Sequence, residues 1–281
     1  MMTERYSVAR AGVLAASLVL AIAAAPLQTV APPPTYADLA DLADAANVVV
    51  HATVTKQIVV PPERATSAAP GRARLYIEAR TRALLAGSAP LGESVRYLVD
   101  VPVDAKGKVP KLKKRDFLLF AKAVPGRPGE LQLVGPTAQM PFDAALAGRL
   151  RPILSELAAA DVAPAVTGVR DALAVPGALV GESETQVFLA TQSGNPVSLT
   201  IVRRPGMEPV WGVSYSEIVD QAARPPAPET IAWYRLACFL PAQLPRGANL
   251  SQDAASRARA TEDYAFVLRQ LGPCPRTLAA Q

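Results

Sequence analysis

Apolar and polar positions alternate in several segments of the first half of this chain, and a different spacing, three or four residues, takes over near its middle and again at its end. YADLADLADAAN reads as a short helix, and the apolar run at residues 48–54 behind it has strand character. The segment at residues 61–74, PPERATSAAPGRAR, is loop-like, because proline, glycine and small polar residues leave little to pack. LYIEARTRALL alternates over its first half, SVRYLVDVPV reads as another strand, and RDFLLFAKAV is the best buried strand of this half. A GRPG turn hands that strand to LQLVG as a hairpin. Four or five strands within residues 46–136 and little helix between them predict a small antiparallel barrel or sandwich.

From Asp143 onward Leu146, Leu150, Ile153, Leu154 and Leu157 share one helical face, with Pro152 as a point where the helix can break. VTGVRDALAV reads as a second, weaker helix. TQVFLATQ and PVSLTIVRR flank an SGN turn, and PVWGVSYSEIV and ETIAWYRLACFL supply two further strands, which places both tryptophans in this second sheet. A terminal helix follows over residues 251–271, ended by Gly272 and Pro273. The expected fold class is therefore α+β. It comprises an antiparallel barrel-like domain at residues 36–141, a helical connector at 142–176, and an antiparallel sheet with a terminal helix at 177–281.

The beginning of the chain carries a different signal. Arg5 and Arg10 precede an uncharged stretch of 15 residues, AGVLAASLVLAIAAA, the order of a secretory leader. A membrane-spanning helix needs about 20 apolar residues, and this stretch runs into Pro26 and a proline-rich linker at residues 24–35. Ala21 and Ala23 fit the small-residue rule for cleavage before Ala24, whereas a cut one pair later would leave Pro26 just behind it. Residues 1–23 are thus read as a signal peptide, and no transmembrane segment is expected once it is removed. The heavy use of alanine, arginine and proline suits a bacterial source, so the expected destination is the periplasm or the medium. In an oxidising compartment the two cysteines, Cys238 and Cys274, are expected to pair and to fasten the terminal helix to the last strand.

Charge changes the picture little. The net charge of +5 is mild, and without a concentrated, aromatic-laced patch it argues against nucleic acid as the partner. One cluster stands out, KGKVPKLKKR, with Lys106, Lys108, Lys111, Lys113, Lys114 and Arg115. It can hold an anionic polymer by counterion release, or serve as a solvated loop that guards a strand edge. Lys111, Lys113, Lys114 and Arg115 are the binding candidates. His51 is the sole histidine and sits inside VVVHATV, which removes most catalytic triads and most zinc sites. Asp38, Asp41 and Asp44 repeat every three residues and read as a solvated helix face. Glu182 and Glu184 could be imagined as paired acid and base, but two glutamates entering a strand are ordinary surface residues. Trp211, Tyr215, Trp233 and Tyr234 read as core, with Trp233 and Tyr234 on opposite faces of a strand. No catalytic residue, metal site or cofactor is expected.

With ANVVVHATV as first strand, LYIEARTRALLAGSAPLGESVRYLV as strand, turn and strand, and RDFLLF as closing strand, residues 36–135 resemble the OB-like barrel of netrin-type and metalloproteinase-inhibitor-like domains. The resemblance implies a barrel. It does not imply inhibition, since the inhibitors chelate zinc through an amino-terminal cysteine and this chain has none before Cys238. The expectation for function is an exported, non-enzymatic binding or interaction module, with an envelope protein or an anionic polymer as partner. The alternatives are a secreted or periplasmic hydrolase using carboxylates and a polyanion binder acting through the loop at residues 106–115. Material exported by a bacterial host is predicted to begin at Ala24 on amino-terminal sequencing; a membrane-retained chain starting at Met1 would contradict the leader.

Overall fold

The structure is a computed structural model that describes residues 1–2, 32–88, 91–215 and 223–278. Residues 1–32 and 33–281 form two units, and the account below concerns the second. The expected leader and its cleavage point lie outside the described residues.

The fold class is α+β. Helix α1 (Tyr36–Ala45) leads into β1 (Val48–Val59), β2 (Arg72–Ala86), β3 (Ser94–Pro102), β4 (Asp116–Ala123), β5 (Glu130–Leu133) and the short β6 (Gln139–Pro141). These strands pair in the order β1-β2-β3-β5-β4, and β4 returns to β1, closing a five-stranded barrel with β6 added on β4. All its pairings are antiparallel except β3 with β5. Alternation does the sorting here: Val50, Val54, Leu75, Ile77, Val95, Val99, Phe117 and Leu119 point inward and form the barrel core. Gly129, at φ +78°, lets β5 approach β3 closely, for a Cβ there would lie 3.1 Å from the Ser94 carbonyl oxygen.

Helix α2 (Ala144–Leu157) follows, capped by Asp143 and continuous through Pro152. Next comes β7 (Val166–Pro176), where a second helix was expected. Ala172 and Ala174 are instead the inward positions of a twice-bulged edge strand beside β8 (Ser183–Thr191). The connector at residues 142–176 is therefore helical only in its first part. Strands β8, β9 (Val197–Arg203) and β10 (Val210–Ser214) complete an antiparallel sheet in the order β10-β9-β8-β7. The other edge of β7 is not bare: the Ala172 carbonyl accepts from the Leu250 N–H at 2.8 Å, and the Ala174 N–H donates to Ser251 Oγ at 3.0 Å.

The larger correction concerns ETIAWYRLACFL. It forms helix α3 (Ile231–Ala237) rather than a strand. Thr230 caps it by accepting from the Trp233 N–H, and Ile231, Trp233, Tyr234, Arg235 and Leu236 are all buried. So short a run, buried along most of its length, shows no clear period, so sequence spacing could not separate the two states. Trp233 and Tyr234 are consequently both core residues, and Trp233 lies outside the sheet, donating its indole N–H to the Leu271 carbonyl at 2.8 Å. Helix α4 (Ala254–Leu271) packs on β7 and β8. Its Asp263 is fully buried and accepts from Thr185 Oγ1 and Arg203 Nε, both at 2.5 Å.

Cys238 and Cys274 are bonded. The bridge joins the end of α3, not a strand, to the chain just beyond α4. Closing a loop of this length (sequence separation 36) contributes about 3–4 kcal/mol in the chain-entropy view.

A second core runs from the outer face of β1 and β4 through α1, α2, α3 and α4 to the inner face of the β7–β10 sheet. The acidic repeat of α1 is its polar seam, and the expectation of a solvated face is overturned for Asp38, whereas Asp41 is half-buried and Asp44 stays exposed at the seam's outer end. Asp38 is buried; it caps α1 in a box with Thr35 and accepts from the Thr277 N–H at 2.9 Å. Burial works against its charge, but bonds from Thr277 and Thr35 outweigh that and hold its pKa below the ordinary carboxylate value. Asp41 accepts from the Tyr234 hydroxyl at 2.6 Å and from Arg276 Nε at 2.6 Å. Asp44 takes both ends of the Arg235 guanidinium at 2.6 and 2.7 Å. The Arg235 side chain is 7% exposed and that of Asp44 33%. Replacing Asp44 by Ala would leave the guanidinium buried without its carboxylate and is predicted to cost about 2–4 kcal/mol by urea denaturation. Arg235→Met, which removes the charge with it, is expected to cost clearly less.

Candidate functional site

Two concavities on the barrel bear on function. The first begins where the β3–β5 ladder ends. Only Arg96↔Glu130 and Tyr97↔Leu131 are paired; beyond them the strands separate. A groove of about 640 Å³ opens between Leu98, Val99 and Asp100 on one side and Leu133, Gly135 and Pro136 on the other. Its wall on the β2 side is Tyr76 and Arg74. Leu98 is 49% exposed, a large apolar side chain in an outward row with Ser94, Arg96, Asp100 and Pro102. At the floor the buried Tyr97 hydroxyl donates to Gln139 Oε1 at 2.8 Å, and burial pushes its pKa up. Arg74 and Asp100 form a two-point pair at 2.7 and 2.8 Å. The Arg74 bonds hold the Asp100 carboxyl below its ordinary value, and the same bonds raise Arg74. The rim is therefore largely neutralised, and the groove offers an apolar floor beside a strand edge.

The second concavity collects part of the basic loop. Lys111, Lys113, Lys114 and Arg115 are all exposed, as the solvated reading has it, but the loop is not loose. Leu112, between the lysines, is 4% exposed and belongs to the barrel core. Gln57 brackets it, accepting from the Leu112 N–H at 2.8 Å and donating to the Pro110 carbonyl at 2.9 Å. Lys113 and Lys114 join Arg80 and Arg82 of β2 around a hollow of about 550 Å³, with Thr53, Thr55 and Asp116. Lys111 and Arg115 do not line it; Arg115 instead sits over the Phe117 ring.

His51 belongs to neither. It stacks on Phe142 with ring centres 3.8 Å apart, and its Nε2 lies 3.6 Å from Asp116 Oδ2. Glu182 accepts from the Leu179 N–H in a turn, while Glu184 accepts from Gln186, so the two glutamates do not converge. No group of three or more His, Cys, Asp or Glu that could hold a metal occurs among the described residues, and none of their helices is long and apolar enough to cross a membrane.

Arg80 and Arg82 went unnoticed in the sequence because about thirty residues of loop and strand separate them from the lysines. Leu98 did leave a signal: alternation through SVRYLVDVPV makes it the apolar member of the outward set. Comparison with models of known families and with curated proteins finds no match for the chain. Lys113→Ala with Lys114→Ala is predicted to change stability by less than about 0.5 kcal/mol. Leu112→Ala should cost about 2–4 kcal/mol on the same urea curves, because it empties the end of the barrel.

Proposed function

We propose that the chain is an exported, non-enzymatic binding protein whose barrel takes an extended segment of a partner polypeptide, an envelope protein, along the free part of β3. The observation that carries this reading is the early end of the β3–β5 ladder. It leaves residues 98–102 as a strand edge beside Tyr76 and Leu98, the combination that strand addition uses: backbone pairing for affinity and side-chain hollows for selection. Export is supported by the leader pattern and by the Cys238–Cys274 bridge. The buried carboxylates Asp38 and Asp263, and the partly exposed Asp41 and Asp44 beside them, are occupied by structural donors, which favours binding over catalysis. A closed five-stranded barrel is what an OB-like fold requires.

A second reading, anion binding through the basic loop, is favoured by the meeting of Lys113 and Lys114 with Arg80 and Arg82. For the groove, peptides selected from a display library on the whole chain should shift backbone amide resonances of residues 96–102 and 131–136. Leu98→Asp and Tyr76→Ala should each weaken them about tenfold. Shifts confined to other strands, or affinities unchanged in both variants, would overturn the groove as the site.

A further inference from the structure

We propose that the hollow formed by Arg80, Arg82, Lys113 and Lys114 is a phosphate site, taking the phosphomonoester of a lipid headgroup or a free phosphate. The proposal rests on the anion-binding reading and is independent of the groove.

Four cations line this hollow against a single carboxylate, Asp116. That carboxylate is already engaged: it accepts the Thr53 hydroxyl and faces His51 Nε2 at 3.6 Å. Glu78 stands two residues before Arg80 in β2, but pairs with Lys56 at 3.1 Å. Arg80, Lys113 and Lys114 make no ion pair among the described residues. Exposed cations ordinarily scatter or alternate with carboxylates; when several share a hollow they repel, and only an anion placed among them reverses the sign.

The cations are also held in place. Arg82 Nε donates to Thr53 Oγ1 at 2.6 Å, which fixes one edge of the guanidinium and leaves its four terminal N–H groups for a ligand. Lys114 stands at φ +68°, a conformation that residues with a Cβ avoid. Its N–H donates to the Val54 carbonyl at 2.8 Å, and the Val54 N–H donates to the Arg115 carbonyl at 3.0 Å, so the turn is stitched to β1. With Leu112 anchored in the barrel, the loop loses little freedom when an anion arrives. Arginines that present paired N–H groups and lysines that add point charge together suit a doubly charged tetrahedral oxyanion.

Titration calorimetry with inorganic phosphate, and sedimentation with phosphatidylcholine vesicles containing phosphatidic acid, test the proposal on the whole chain. Binding to at least one probe is expected; vesicles alone would assign the headgroup, phosphate alone a soluble ligand. Arg80→Gln with Arg82→Gln, and separately Lys113→Gln with Lys114→Gln, should each weaken that binding about tenfold, while Lys106→Gln with Lys108→Gln, on the same loop outside the hollow, should change it less than about twofold. Failure of both probes, or equal weakening by all three pairs, would overturn the hollow. Retention on heparin separates the two levels of failure: equal loss in all three pairs leaves diffuse anion binding standing without the hollow, and no retention of the unmodified chain removes both.

Discussion

Arg235 is the group around which the second core is arranged. A guanidinium cannot give up its proton inside a protein, so once α3 carries it inward the fold must bring it a carboxylate and further acceptors. Asp44 of α1 supplies the first, and the Ala163 carbonyl, on the segment between α2 and β7, accepts from its Nε at 3.3 Å. Burial opposes the charge, but the Asp44 bonds prevail and keep the guanidinium above its ordinary value. The neighbouring carboxylates of α1 extend the same seam: Asp41 holds Tyr234 and Arg276, and Asp38 holds Thr277. Helix α1, first in the described fold, is thereby tied to α3 and to the tail beyond α4, and the disulfide fastens α3 to that same tail.

This arrangement frees the rest of the barrel surface. The outer face of β1 and β4 is covered near Val49, Leu118 and Phe120 by the second core, and becomes polar where Thr53 faces Asp116. The phosphate hollow begins at that transition. The groove arises from a different cause, the shortness of β5: Glu130–Leu133 spans only four residues, enough to close the barrel but not to accompany β3 along its length. Closing the barrel with so short a strand leaves part of a neighbouring edge to be satisfied by something else, which is why the groove and the closure belong to one geometric fact.

The basic loop shows how one segment can serve both stability and binding. Its lysines are exposed and its leucine is core, with Gln57 holding the backbone between them. A loop whose anchor is buried presents its charges at defined positions, and the cost of ordering is met in folding rather than on binding.

Much of the fold was legible along the chain, because wherever one face of a strand is buried and the other wet, the period of two is imposed locally. That holds for β2, β3 and β8, whereas β4 and β9, buried on both faces, stood out as apolar runs between turns, and two cysteines left one pairing. Tertiary structure decided the rest. ETIAWYRLACFL became a helix where Thr230 caps it and α1, α2 and α4 pack around it, and VTGVRDALAV became a strand because β8 and residues 249–251 satisfy its backbone. Asp38, Asp41 and Asp44 look like a wetted face until α3 and the tail arrive. Arg80 and Arg82 acquire meaning only when the barrel brings Lys113 and Lys114 beside them. Local pattern reports which side of an element is apolar; which distant charge meets which, and where a ladder stops, depends on strand lengths and on partners far away in the chain.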